Sequence, residues 1–305
     1  MPEAPRLQTR QVLLESLGVS VLDFRCRAHV EPLGPEESNP THGIVLVRKG
    51  VFGRAQQGET LVADPNHVLF FNAGEPYRYS HPLSGGDDCT VLALDRARAL
   101  ELVAHHAPRD AECSERPFRL GYGLSSPRAA RLQYELLGLL RGASTRLVLE
   151  DVVAELADEA VGAAYRTRGT RTGSGVPSAA ARRRRRDLVE AAKLAVNGRY
   201  ESPPSLGELA RSLGCSPFHL SRTFHRSVGV SLRRYAGRLR ARLAAGRLAA
   251  GARDLTELAL DLGYADHSHF TNAFRQEWGL PPSRFRELHG ADPAVILGRR
   301  RRPPA

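Results

Sequence analysis

A chain of 305 residues is long enough to form two domains of ordinary size. Its charge is divided unevenly, because residues 1–170 hold 19 Lys+Arg against 22 Asp+Glu, whereas residues 171–305 hold 25 against 11. The basic second half indicates a polyanionic partner. Apolar runs fall short of the roughly 18–20 residues of a membrane span, and residues 1–10 lack the apolar core of a signal peptide. We therefore expect a cytoplasmic protein with no membrane partner.

Residues 19–123 consist of short β-rich runs that are separated by turn residues. Ile44-Val45-Leu46-Val47 and Val68-Leu69-Phe70-Phe71 are two such runs, and Asn72-Ala73-Gly74 is one of the turns. This pattern predicts an antiparallel β domain. Residues 126–165 change to helical spacing and predict a helical hairpin. Its leucine stripe either offers a surface for a homodimer or is buried against the barrel. The stripe contains Leu132, Leu136, Leu139 and Leu140.

Residues 166–186 lack apolar periodicity and are rich in Arg, Gly and Ser. This composition predicts a flexible linker between a first domain at 1–165 and a second at 187–288, with a basic tail at 289–305. The linker ends in the run Arg182–Arg186. The run is either a solvated end of the linker or an arm that contacts phosphates.

A repeated unit lies in the basic half. Ser205-Leu206-Gly207-Glu208-Leu209-Ala210 recurs forty-nine residues later as Asp254-Leu255-Thr256-Glu257-Leu258-Ala259. Each copy starts with a capping-box pattern and leads to a Leu-Gly pair, after which Ser216 or Asp266 can cap a longer helix. A short helix, a glycine turn and a longer helix form a helix-turn-helix, whose second helix enters the major groove of DNA.

The surroundings of these units resemble the DNA-binding domain of the AraC/XylS family. The resemblance rests on Gly263 through Phe270, on Phe274 through Arg286, and on Leu220 through Phe224 with the following Gly229-Val230-Ser231. It implies a sequence-specific transcription regulator that binds promoter or operator DNA and is not an enzyme. RNA polymerase is a further partner if the protein activates transcription.

The second helix of each unit supplies the candidates for DNA contact. Leu220 and Phe224, like Phe270 and Phe274, are spaced by four residues and are expected to face the core. Arg222 suits the O6/N7 edge of guanine, with a phosphate contact as the alternative, and Asn272 at the corresponding place suits adenine. The candidates are Phe218, His219, Ser221, Arg222, His225, His267, Ser268, His269, Thr271, Asn272 and Arg275.

Between the units, apolar residues at helical spacing predict one long helix from Ser231 to Ala250 that separates the two readers. Six arginines lie on this helix and are either phosphate contacts or a solvated face. They are Arg233, Arg234, Arg238, Arg240, Arg242 and Arg247.

The first half resembles the cupin-like regulatory domain that precedes this DNA-binding domain in many family members, at Gly50-Val51-Phe52 and at Asp64 through Tyr77. The implied fold is α+β and multidomain: an antiparallel β barrel with a helical hairpin, then an all-α domain with two helix-turn-helix units. A metal-binding cupin carries a His-x-His pair, a Glu and a later histidine. The β region has no such pair, and Tyr77 stands near the later ligand position.

We therefore expect no metal and no cofactor, and instead a small-molecule effector inside the barrel. Core packing is the alternative role for each candidate, and His81 and Cys89 flank a loop where a metal or redox site stays open. The remaining alternatives for the whole chain are a cupin-type metalloenzyme with a basic helical scaffold and a nonspecific DNA-packaging protein. The effector candidates are His42, Phe70, Tyr77, Tyr79 and His81.

Overall fold

The computed structural model describes residues 8–16, 18–27, 33–112, 115–169 and 178–290. Its first half contains two antiparallel sheets, one ordered β1-β2-β9-β4-β7-β10 and one ordered β3-β8-β5-β6. The strands are β1 (Gln8–Ser16), β2 (Val19–Cys26), β3 (Glu36–Glu37), β4 (His42–Gly50), β5 (Phe52–Gln56), β6 (Glu59–Ala63), β7 (His67–Phe71), β8 (Tyr77–Ser80), β9 (Asp87–Leu94) and β10 (Tyr122–Leu124).

The two sheets face each other across an apolar core. Val47 and Phe71 from the larger sheet pack in one cluster with Phe52 and Leu61 from the smaller one. Because side chains alternate along a strand, the other face of the larger sheet is free to bury a second apolar layer. This arrangement confirms the predicted antiparallel, cupin-like first domain.

Helices cover that other face. They are α1 (Arg96–His106), α2 (Pro108–Ala111), α3 (Pro127–Arg141) and α4 (Arg146–Gly169). The hairpin of α3 and α4 was predicted. The prediction of β structure for residues 19–123 differs from the structure in two ways, because α1 and α2 lie within this stretch and strand β1 comes before it. Asp95 begins α1 by accepting a hydrogen bond from the Arg98 amide at 2.8 Å, a local cap that outweighs the β-rich surroundings.

The leucine stripe of the hairpin packs against the larger sheet. Leu136 is 0% exposed and belongs to the same apolar cluster as Ile44 and Leu92. Close approach at Gly123 allows this packing, because a Cβ atom there would lie 2.6 Å from the Cβ of Ala164 on α4. The face predicted to form a homodimer is therefore occupied by the protein's own barrel.

The predicted linker is helical at both ends. Helix α4 continues to Gly169, and α5 (Ala179–Gly198) begins after Ser178, whose hydroxyl caps the Ala181 amide at 3.2 Å. The run Arg182–Arg186 therefore lies in a helix, because alanine and arginine both favour helix and Ser178 supplies the cap. Residues 170–177 lie outside the described residues, as does the predicted basic tail from residue 291 onward.

Six further helices complete the second half. The two helix-turn-helix units are α6 with α7 and α9 with α10, and α8 joins them as the single long helix that the sequence predicts. No helix of the described ranges combines the length and apolar character needed to cross a bilayer. The bounds are α6 (Leu206–Ser212), α7 (Pro217–Val228), α8 (Leu232–Ala249), α9 (Leu255–Asp261), α10 (His267–Trp278) and α11 (Pro282–His289).

The caps and turns explain why the units repeat. Ser205 and Glu208 form a complete capping box, and Asp254 accepts hydrogen bonds from the Thr256 and Glu257 amides. At the second turn Gly263 has φ +73°, and a Cβ there would lie 1.5 Å from the Glu201 carbonyl oxygen. Only glycine satisfies both requirements at this position.

We predict that Leu136→Asp lowers the free energy of unfolding by at least about 3 kcal/mol, because it places a carboxylate in the apolar layer under the sheet. Urea denaturation of the full chain measures this change. Leu147→Asp on the neighbouring helix is the matched control and should stay within about 0.5 kcal/mol, since Leu147 is 68% exposed. Equal losses in both variants would contradict the burial described for the hairpin.

Candidate nucleic-acid interface

The second helices of the two units, α7 and α10, are held by matching apolar faces. Leu220 and Phe224 are fully buried on α7, and Phe270, Phe274 and Trp278 occupy the corresponding side of α10. Both helices end at a glycine with positive φ, Gly229 or Gly279. The predicted core-facing positions are thus confirmed, and each helix presents its opposite side to solvent.

Most of the predicted DNA-contacting side chains lie on that open side. Thr271 differs, because it is half-buried and its hydroxyl is enclosed without a hydrogen-bond partner among the described residues. On α7, Arg222 lies near the Phe218 ring, with 6.0 Å between the guanidinium carbon and the ring centroid. The exposed candidates are Phe218, His219, Ser221, Arg222, His225, His267, Ser268, His269, Asn272 and Arg275.

Two exposed polar side chains on the same helices escaped the sequence analysis. Arg226 follows Arg222 by four residues, and Gln276 follows Asn272 by four residues. Residues four apart share a helix face, so this spacing was the signal that would have identified them.

The arginines of α8 have mostly structural partners. Arg242 is only 3% exposed, and its guanidinium contacts Glu277 at 2.9 Å, the Pro65 carbonyl oxygen at 2.7 Å and the Ser125 carbonyl oxygen at 2.8 Å. Arg238 also contacts Glu277 and Ser125. The alternatives of phosphate contact or solvated face are wrong for these two arginines, because they join α8 to the barrel domain.

Two more of the six bind the second unit, Arg240 through the Gly263 carbonyl oxygen at 2.9 Å and Arg247 through the Asp261 carboxylate at 2.5 Å. Arg233 and Arg234 remain exposed at the start of α8. For these two arginines, phosphate contact and a solvated face both stay as the predicted alternatives.

A buried polar cluster forms the centre of the contact between the two halves. Asp64, at the turn between β6 and β7, accepts hydrogen bonds from the Tyr235 hydroxyl on α8 and from the Asn197 side chain on α5 at 2.6 Å. Burial alone would raise the pKa of Asp64. The adjacent His67 ring and the hydrogen bonds from Tyr235 and Asn197 outweigh burial and hold this pKa well below its ordinary value.

Helix α5 also binds the edge of the smaller sheet. The Val62 amide of edge strand β6 donates to the Glu190 carboxylate at 2.6 Å, and its carbonyl oxygen accepts from the Lys193 ammonium at 2.8 Å. Glu190 and Lys193 are themselves paired at 2.6 Å. The backbone groups that an edge strand leaves open are thus satisfied by the second half of the chain.

The barrel encloses a cavity of about 130 Å³ whose lining includes Tyr77, Tyr79 and His81. The other two predicted effector residues lie elsewhere. His42 and Phe70 point to the helix-covered face, where both pack near Phe118, because they alternate with the cavity-facing positions along β4 and β7. Their prediction as cavity residues missed this alternation.

Comparisons with known proteins match two parts of the chain to two families. Residues 209–288 match the family described as helix-turn-helix domain, and residues 2–162, just over half of the chain, match that described as AraC-binding-like domain. Regulatory protein SoxS of Salmonella typhimurium is 30% identical over 91 residues, which cover 30% of this chain and 85% of SoxS.

Two further likenesses differ in how much of the chain they cover. The bifunctional transcriptional activator/DNA repair enzyme AdaA of Bacillus subtilis is 30% identical over 84 residues, which are 28% of this chain and 40% of AdaA. The crystal structure of an apo form of ToxT from Vibrio cholerae aligns over 90% of this chain and 98% of its own, with 12% identity and a TM-score of 0.38.

We predict that Asp64→Asn lowers the free energy of unfolding by about 2–3 kcal/mol, because the charge-assisted hydrogen bonds from α5 and α8 weaken. Calorimetry should show one transition for the wild type and two for the variant as the halves uncouple. Asp187→Asn on the exposed side of α5 is the control and should leave one transition.

The same variant tests the pH dependence. Since the pKa of Asp64 is lowered in the folded protein, its stabilising contribution is complete above the ordinary aspartate pKa of about 3.9 and is lost as the pH falls further. The stability difference between wild type and Asp64→Asn should therefore shrink below about pH 4. A difference that stays constant through this range would contradict an ionised Asp64 at the contact.

Proposed function

The chain belongs to the AraC family of DNA-binding transcription regulators, and from this premise we propose that it reads its site with α7 and α10 in two successive major-groove segments. The observation that carries the proposal is the pair of capped units, each with a buried apolar face and an open polar face on its second helix. Side chains near the start of such a helix reach base edges.

Different chemistry on the two helices favours a site without internal symmetry. Helix α7 presents Arg222 beside Phe218, which suits a guanine next to the methyl group of a thymine. Helix α10 presents Asn272 at the equivalent place, and its amide suits adenine. The two readers therefore address different bases within one monomer's site.

Helix α8 sets the separation of the readers. Its 18 residues span about 27 Å. The buried residues Tyr235 and Leu239 pack with the first unit, and Leu248 packs with the second. Successive major-groove faces on one side of B-DNA lie about 34 Å apart. A buried helix of about 27 Å between the readers, comparable to this groove spacing, supports simultaneous reading of both faces.

The barrel supports a regulatory role for a small molecule. Its cavity is lined by Phe52, which belongs to β5, and β5 pairs directly with β6. Strand β6 in turn binds α5 through Val62. A molecule that displaces Phe52 would thus shift the strand that contacts the DNA-binding half, which gives the effector a physical route to the readers.

A cupin-type metalloenzyme is the disfavoured alternative, because the similar proteins are named as transcription regulators and residues 209–288 match a helix-turn-helix domain. AdaA is named as both an activator and a repair enzyme, but this chain spans only 40% of AdaA.

We predict that Arg222→Ala weakens binding to the selected DNA site by about 1–3 kcal/mol and binding to scrambled DNA much less, because a base contact discriminates between sequences. The site is first obtained by selection from random DNA with the purified full chain. Fluorescence anisotropy at fixed salt then measures both affinities.

Arg146→Ala is the control, since Arg146 lies on the hairpin of the first half and pairs there with Glu150. It should leave both affinities unchanged. An equal loss on selected and scrambled DNA in Arg222→Ala would assign Arg222 to a phosphate instead of a base.

We also predict that the fragment 178–290 selects the same DNA sequence as the full chain, because it retains the Ser178 cap, both readers and α8. The fragment loses Tyr134, which packs edge-on against Trp278 and Phe285, so its melting temperature should fall. Parallel selections with the two proteins provide the measurement. A folded fragment that shows no sequence preference would contradict the assignment of reading to this half.

A further inference from the structure

Four metal-ligating side chains meet at one end of the barrel cavity. Cys26 closes β2 and pairs in register with Asp87 at the start of β9, so their side chains share a face of the larger sheet. Cys89 lies two residues after Asp87 and points the same way. His81 follows β8 of the opposite sheet and completes the group, and all four line the cavity.

Their distances are those of a preformed cluster. Cys26, His81 and Asp87 each place one donor atom within 4.8 Å of the others. His81 Nε2 lies 2.6 Å from Asp87 Oδ1, and Cys89 Sγ donates to Asp87 Oδ2 at 3.1 Å. All four residues are buried, and His81 is only 1% exposed.

The polar side-chain atoms of the cluster are buried at the wall of the barrel cavity. The Asp87 side chain is buried, and within the described residues it is hydrogen-bonded to His81 and Cys89. His81 keeps its Nδ1 atom buried without a hydrogen-bond partner in the part of the chain that is described.

We propose that Cys26, His81 and Asp87 bind a divalent transition metal ion of the zinc type, with its fourth coordination position open to the barrel cavity. One sulfur, one imidazole nitrogen and one carboxylate oxygen form a mixed ligand set that suits Zn²⁺. Binding releases the Cys26 thiol proton, and the His81 proton if it is present, to solvent. Cys89 is a positioning residue that holds Asp87 Oδ2.

This site uses other residues than the metal set of a cupin, whose His-x-His pair does not occur in the sequence of the β region. It does not depend on how the protein reads DNA. An open coordination position would give the cavity a polar anchor for a small ligand. A second cluster, His105, His106 and Asp158, lies at the surface between α1 and α4, with 71% of the His105 side chain exposed. It serves as an internal comparison.

Co²⁺ titration of the reduced, chelator-treated full chain tests the proposal, because thiolate ligands produce charge-transfer absorption that histidine and carboxylate alone do not. We expect one equivalent of Co²⁺ to produce this absorption and Zn²⁺ to displace it. Cys26→Ser should abolish the band, and Asp87→Asn should weaken Zn²⁺ affinity by at least about tenfold. Cys215→Ser, a change of the same type in the DNA-binding half, should alter neither.

A combined variant keeps the test decisive if the barrel substitutions prevent folding. It carries Cys113→Ser, Cys215→Ser, His105→Gln and His106→Gln, and leaves Cys26 and Cys89 as its only cysteines. Retention of the absorption band, with a Zn²⁺-dependent rise in melting temperature, supports the barrel site. Absence of the band in the wild type, its loss in the combined variant, or its retention in a folded Cys26→Ser protein overturns the proposal.

Discussion

The contact between the halves depends on two buried charges that find their partners across the domain boundary. Asp64 lies at the β6–β7 turn of the barrel and accepts hydrogen bonds from Tyr235 and Asn197. Arg242 lies on α8 and donates to the backbone carbonyl oxygens of Pro65 and Ser125 in the barrel half. A buried charge without such partners costs several kcal/mol. Each half therefore completes the other, and the relative position of barrel and α8 is specified by paired donors and acceptors.

This constraint acts on the helix that separates the DNA readers. Arg242 is shared between the barrel backbone and Glu277 of α10, so one side chain links the regulatory half, the spacing helix and the second reader. The open faces of α7 and α10 lie outside this contact. The arrangement leaves the proposed reading surface accessible while the polar contact controls how the units are held.

The barrel has two chemically different surfaces because strand side chains alternate. One face is sealed by α3 and α4, and the other encloses a cavity with a polar end at Cys26, His81 and Asp87. The nearby edge strand β6 is completed by Glu190 and Lys193 of α5. The paired strands β5 and β6 thus lie between the barrel cavity and helix α5 of the DNA-binding half.

The sequence by itself determined the local architecture of the second half. Caps at Ser205 and Asp254, turn glycines and four-residue apolar spacing act within a few residues of chain, so the two units and helix α8 were predicted from them. Only the tertiary structure decided which polar side chains are buried. Arg242 and Asp64 belong to residue types that are usually exposed, and their partners across the domain boundary lie more than a hundred residues away. The same limit applies to the barrel cavity, where strand pairing brings Cys26 to Asp87 and places His42 and Phe70 on the opposite face. Pairing and register join distant segments, so local periodicity does not reveal them.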